Sequence, residues 1–69
     1  MQTWTRSDGR YFSIWIEHDL FGLVVVAAYG GKGRAARFRY VPVGSLEHGE
    51  RVVEAMGRRR AAHGYEQEA

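Results

Sequence analysis

Asp19-Leu20-Phe21-Gly22-Leu23-Val24-Val25-Val26-Ala27-Ala28-Tyr29-Gly30-Gly31-Lys32-Gly33-Arg34 is the stretch on which the fold turns. It opens as a reversal: an Asp can hold its own backbone through its carboxylate, and Gly22 tolerates a positive φ. From Leu23 to Tyr29 every residue is apolar, which suits a central strand covered on both faces. A membrane-spanning helix needs ~20 apolar residues, and the run Leu20–Tyr29 is about half of that. Gly30-Gly31-Lys32-Gly33 is too rich in glycine to hold a regular element and is expected to be a loop.

Working outward, the segment before this stretch is Arg10-Tyr11-Phe12-Ser13-Ile14-Trp15-Ile16-Glu17. Its β-branched and aromatic content predicts a strand. Strand periodicity places Phe12, Ile14 and Ile16 on one face and Tyr11, Ser13, Trp15 and Glu17 on the other. Ser7-Asp8-Gly9 is a turn signal, and Trp4 lies in a short polar-aromatic alternation that suits an edge strand. After the glycine loop, Ala35 to Val41 alternates again: Ala36, Phe38 and Tyr40 on one side, Arg37 and Arg39 on the other. Pro42, which has no N–H for a ladder, is expected to end that strand.

Ser45 is a suitable helix N-cap, with Glu47 and Glu50 near the positive end of the helix dipole. Leu46, Val52, Val53, Met56 and Arg60 recur at helical spacing and predict the buried stripe. Gly49 and Gly57 weaken an isolated helix by roughly 1 kcal/mol each relative to Ala, and on the buried side they would let it lie close to a sheet. Arg58, Arg59, Arg60 and His63 suit the C-terminal end of the dipole, Gly64 suits the residue after the cap, and Tyr65 is expected to pack back. Glu66 to Ala69 reads as a frayed tail. The expected architecture is α+β: an antiparallel sheet of three to four strands with one C-terminal helix on one face, all within a single domain over residues 1–69.

The 69-residue chain holds two Trp, four Tyr, three Phe and no Cys. A chain of this size buries only about 60% of the surface its unfolded form exposes, so its core is thin. Without cysteine there is no disulfide or thiolate metal site to reinforce it. A homodimer that hides more apolar surface is therefore expected. The first six residues contain no apolar signal core, which together with the lack of cysteine suggests a cytoplasmic protein. Net charge is +2, unevenly spread. Residues 1–44 carry six Lys/Arg against three Asp/Glu, and residues 45–69 carry four against five.

The order of these segments resembles the WGR domain family, in the form of a stand-alone bacterial member. The resemblance rests on the aromatic strand at Arg10-Tyr11-Phe12, the hairpin Asp19-Leu20-Phe21-Gly22, and the glycine-containing loop with the strand and helix that follow. It closes on Gly64-Tyr65. The Trp-Gly-Arg signature is degenerate and stands as Tyr29-Gly30-Gly31: the aromatic residue is Tyr, the Gly is kept and the Arg is lost. The resemblance implies the sheet-and-helix fold and a contact with DNA ends through the signature region. In this sequence that implies an aromatic platform at Tyr29, with Lys32 or Arg34 supplying the charge.

Read as residues alone, the same region gives a candidate nucleic-acid site. Tyr29 would stack, Lys32, Arg34, Arg37 and Arg39 would hold phosphates, and Arg10 would give outer support. Such contacts position a backbone and read no sequence. The glycine loop lacks the spacing of a nucleotide-binding P-loop and no helix follows it. His18, His48 and His63 show no metal-ligand spacing. No nucleophile, base and orienting group are brought together, so neither an enzyme nor a cofactor is expected. The expected function is a non-enzymatic module for nucleic acid, double-stranded DNA or its ends. The alternative is a protein-interaction module or homodimer using the aromatic sheet surface, in which Trp4, Tyr11, Trp15 and Tyr29 would matter more than the arginines.

Overall fold

The computed structural model describes residues 1–68. Five strands, β1 (Gln2–Thr5), β2 (Tyr11–Asp19), β3 (Gly22–Gly30), β4 (Arg37–Val43) and β5 (Glu66–Gln67), form one sheet in the order β4-β3-β2-β1-β5. Every pairing is antiparallel. One helix, α1 (Leu46–Ala62), packs across one face. No helix among the described residues is long and apolar enough to cross a membrane.

The hairpin that joins β2 to β3 is in register along its whole length, from Tyr11 opposite Gly30 to Asp19 opposite Gly22. Its tip is closed as the sequence implies: Phe21 donates its backbone N–H to Asp19 Oδ1 at 2.7 Å, and Gly22 takes a φ of 130°. This register assigns the faces. Phe12, Ile14 and Ile16 lie with Val25, Ala27 and Tyr29 under the helix. Trp4 and Tyr65 complete that core. Val24, Val26 and Ala28 point the other way and are buried without any helix above them, between the side chains of the adjoining strands.

The helix begins at the expected cap, where Ser45 Oγ accepts from the His48 N–H at 3.1 Å. It ends in a Schellman motif. Tyr65 N–H donates to the Arg60 carbonyl at 3.0 Å, Gly64 N–H donates to the Ala61 carbonyl at 3.2 Å, and Gly64 has a φ of 85°. The motif turns Tyr65 back into the core. Both helix glycines lie against the sheet. An added Cβ would stand 3.3 Å from Ile16 and Val43 at Gly49, and 3.0 Å from Gln2 Oε1 and the Trp4 ring at Gly57.

Gly57→Ala therefore sets two effects against each other. Helix propensity favours Ala by roughly 1 kcal/mol. Forcing a methyl against a buried indole costs about 1–3 kcal/mol. Trp4 also donates its indole N–H to Gln2 Oε1 at 3.2 Å, so neither neighbour yields freely. Thermal melts should show Gly57→Ala below the parent. Gly44→Ala, which meets nothing within 4 Å, should melt no lower than the parent.

Several expectations change. The tail is not frayed over its described part: Glu66 and Gln67 pair with Thr5 and Trp4, and Glu68 N–H donates to the Thr3 carbonyl at 2.8 Å. Ala69 lies outside the described residues. This pairing raises the strand count to five and moves β1 off the edge. β4 runs through Pro42 to Val43, because an outermost strand has N–H groups with no partner to lose. Leu46 stays 54% exposed, one turn ahead of the first glycine contact with the sheet. Finally, Trp4 and Tyr29 belong to the helix-covered face, so they cannot share an open surface with Tyr11 and Trp15.

Candidate nucleic-acid interface

At the end of the sheet where β3 passes into β4, the chain turns at Gly31 to Arg34. Arg34 N–H donates to the Gly31 carbonyl at 3.0 Å, and Gly33 takes a φ of 75°. The missing side chain of Gly31 lets Arg10 lie close, since a Cβ there would meet Arg10 Cγ at 3.4 Å. Cross-strand register then sets Arg37 opposite Tyr29 and Arg39 opposite Ala27. Both arginines therefore stand on the helix side of the sheet, on its outermost strand. There they remain exposed.

These residues surround a cleft of about 610 Å³, lined by Arg10, Tyr29, Gly30, Arg34, Ala35, Arg37, Arg60 and Tyr65. An adjoining hollow of about 370 Å³ shares Tyr29 and Arg60 and adds Arg39 and Arg59 over an apolar floor that includes Phe12, Ala27 and Met56. Five of the six residues expected from sequence thus come together: Tyr29, Arg34, Arg37, Arg39 and Arg10. Lys32 does not line either hollow. It lies on the outer turn, with its Cβ 3.6 Å from where a Gly9 side chain would begin.

Arg60 is the centre of the arrangement. Its guanidinium carbon lies 4.1 Å from the Phe12 ring centroid and 5.6 Å from that of Tyr65. Phe12 in turn stacks on Tyr29, with centroids 6.2 Å apart and planes 23° apart. Aromatic faces take the place that a carboxylate would ordinarily fill beside a half-buried guanidinium. Arg60 Nε is buried with no hydrogen-bond partner. The sequence gives Arg58, Arg59 and Arg60 a local role at the helix end. The fold divides them: Arg58 pairs with Glu54 at 2.9 Å, whereas Arg59 and Arg60 face the cleft. Helical periodicity held the signal, because it separates Arg60 from Arg58 by 200° around the axis, about 100° per residue.

Acidic residues are kept away. Neither hollow is lined by an Asp or Glu. Among the described residues, Arg34, Arg37, Arg39, Arg59 and Arg60 form no ion pair. Arg10 is different, since its Nε lies 3.5 Å from Asp8 Oδ2. The hydrogen bonds from the Arg6 side chain and then from the Arg10 N–H hold the Asp8 carboxyl down to about 2. Asp8 is thus ionised throughout the ordinary pH range and offsets part of the charge of Arg10. The same contact raises the Arg6 guanidinium above its usual range and holds it over Tyr65, 5.3 Å from the ring centroid.

Among the described residues, no group of three or more His, Cys, Asp or Glu side chains could hold a metal ion. Compared with protein-family models, curated proteins and solved structures, the chain matches none of them.

Proposed function

We propose that this protein is a non-enzymatic WGR-like module that binds nucleic acid, double-stranded DNA foremost, along the cleft between β4 and the C-terminal end of α1. The observation that carries this reading is the convergence of six arginines from four segments of the chain on a cleft without a single carboxylate in its lining. A fold gains nothing from crowding like charges unless an anion neutralises them. Arg34, Arg37 and Arg39 are exposed and suit a phosphate backbone. Arg60 is the pre-set member, because stacking on Phe12 fixes its plane and a fixed guanidinium suits bidentate phosphate recognition. In this reading Arg60, brought in by the helix, supplies the planar cation that the degenerate signature lacks at Gly31. Tyr29 gives one face to Phe12 and leaves the rest of its ring to the cleft wall. Contacts of this kind hold a backbone without reading sequence.

Titration of a labelled DNA duplex over a salt series tests the reading. If all six arginines engage phosphates, log K should fall against log salt with a slope of about −5. Unrelated duplex sequences should bind alike. No binding at low salt, or binding indifferent to salt, would reject it.

A further inference from the structure

The helix crosses the sheet on the diagonal, and its two buried glycines mark the path. At Gly49 it lies against Val43 on β4 and Ile16 on β2, whereas at Gly57 it lies against Gln2 and Trp4 on β1. The C-terminal half of α1 has thus swung away from the outermost strand. β4 is left uncovered where it begins. Its helix-side residues run Arg37, Arg39, Val41 and Val43. The two valines pack on the core, and the two arginines are exposed. Ala27, opposite Arg39 on β3, is too short to fill the space that the helix vacates. The hollow of about 370 Å³ is the gap that results. Phe12 and Ala27 form its floor, Val52 and Met56 come from the helix, and the exposed Arg39 and Arg59 bound it.

We propose that this hollow seats one unpaired nucleobase, so that the cleft takes a nucleic-acid end with single-stranded nucleotides in preference to an uninterrupted duplex. This rests on the reading of the adjoining cleft as a phosphate-binding surface. The two hollows share Tyr29 and Arg60, so one ligand that spans them must offer an apolar group and an anion side by side. A phosphate gains nothing over the apolar floor, because burying it there leaves its charge without partners. A base paired within a duplex has its faces taken by its stacked neighbours, whereas an unpaired base exposes a flat apolar face. The lining suits such a face: guanidinium planes stack on bases, and the Met56 thioether makes soft contacts with aromatic rings. The volume is at the lower end of small-molecule pockets, roughly 300–1,000 Å³. Charge narrows the choice further. No carboxylate lines the hollow, so a neutral apolar side chain would leave its arginines unneutralised, while a nucleotide brings its own phosphate to the arginines next door.

Fluorescence anisotropy of the full chain with three forms of one labelled duplex tests it: blunt, with a short single-stranded overhang, and with the same overhang made abasic. The abasic form keeps every phosphate and loses only the bases, so the electrostatic attraction is matched. The intact overhang should bind ~10–100-fold more tightly than the abasic one, the factor that stacking of one base supplies. Ala55 is an exposed helix position that lines the hollow and not the arginine cleft. Ala55→Leu should abolish the gain, with blunt-duplex affinity and circular dichroism unchanged. Equal affinities for the intact and abasic overhangs overturn the proposal, and so does a gain that survives Ala55→Leu. In either case a blunt duplex that still binds leaves the reading of the cleft in place. An intact overhang that binds where the blunt duplex does not supports the base seat and rejects the duplex reading, and failure of all three to bind at low salt rejects both. Equal overhang affinities with decanoate shifting the Val52 methyl signals would give the hollow to an apolar acid and overturn the proposal as well.

Discussion

Phe12→Ala should leave most of the chain unfolded in buffer at room temperature. Phe12 is among the largest fully interior side chains of the domain and stands at the junction of three contacts. It pairs across strands with Trp4 and Tyr29, stacks on the Tyr29 ring, and lies beneath the Arg60 guanidinium. Truncating a buried Phe costs about 3–5 kcal/mol. A 69-residue domain at 0.05–0.15 kcal/mol per residue has roughly 3–10 kcal/mol in all. The loss is therefore of the same order as the whole stability. Amide chemical-shift dispersion and near-UV circular dichroism should both collapse. Phe12→Leu retains apolar volume and should fold, with a melting temperature lower by several degrees. It should also weaken binding in the cleft, because Arg60 loses the ring that fixes it. A Phe12→Ala protein that melts like the parent would show that the core does not depend on this contact.

The second large effect concerns the cleft. Combining Arg34→Glu, Arg37→Glu and Arg39→Glu should lower affinity for duplex DNA by at least ~100-fold at low salt, since each reversed charge at contact distance is worth about 1 kcal/mol or more. All three side chains are exposed and form no ion pair among the described residues. Surface changes of that kind usually alter stability by no more than about 0.5 kcal/mol, so the variant should fold and melt like the parent. Lys32→Glu is the matched control. It reverses one charge in the same turn but outside both hollows, and should cost less than ~10-fold. Equal losses from Lys32→Glu and the triple variant would mean that net charge, not the cleft, determines binding.

The architecture was legible where local chemistry acts alone. Alternation along Tyr11–Glu17 gave the covered face, Asp19 and Gly22 gave the hairpin, and Ser45 and Gly64 gave both helix ends. Three features depend on partners distant in sequence and were not legible. The pairing of Glu66 and Gln67 with β1 needs the Schellman turn to aim the chain first. The continuation of β4 through Pro42 depends on its being outermost, which pairing order decides. The assignment of Trp4 and Tyr29 to the helix side follows from register alone, because a shift by one residue would put them on the other face. The cleft was half legible. Tyr29, Arg34, Arg37 and Arg39 lie next to the glycine loop, where positive charge clusters, and Arg10 reaches them through the pairing of Tyr11 with Gly30. Arg59 and Arg60 come from a helix some thirty positions later and join it only when that helix crosses the sheet.

The pairing of β5 with β1 has a consequence for how the domain can be carried by other chains. Thr3 and Glu68 are joined by a backbone hydrogen bond, so entry and exit lie about one strand spacing apart, ~4.8 Å. They emerge beside each other at the edge of the sheet remote from β4 and its arginines. A unit whose two ends meet can be spliced into the loop of a host protein without forcing the host's flanking segments apart. The same closeness allows the ends to be joined and the chain reopened at the exposed Leu20-Phe21 tip, leaving every strand pairing in place.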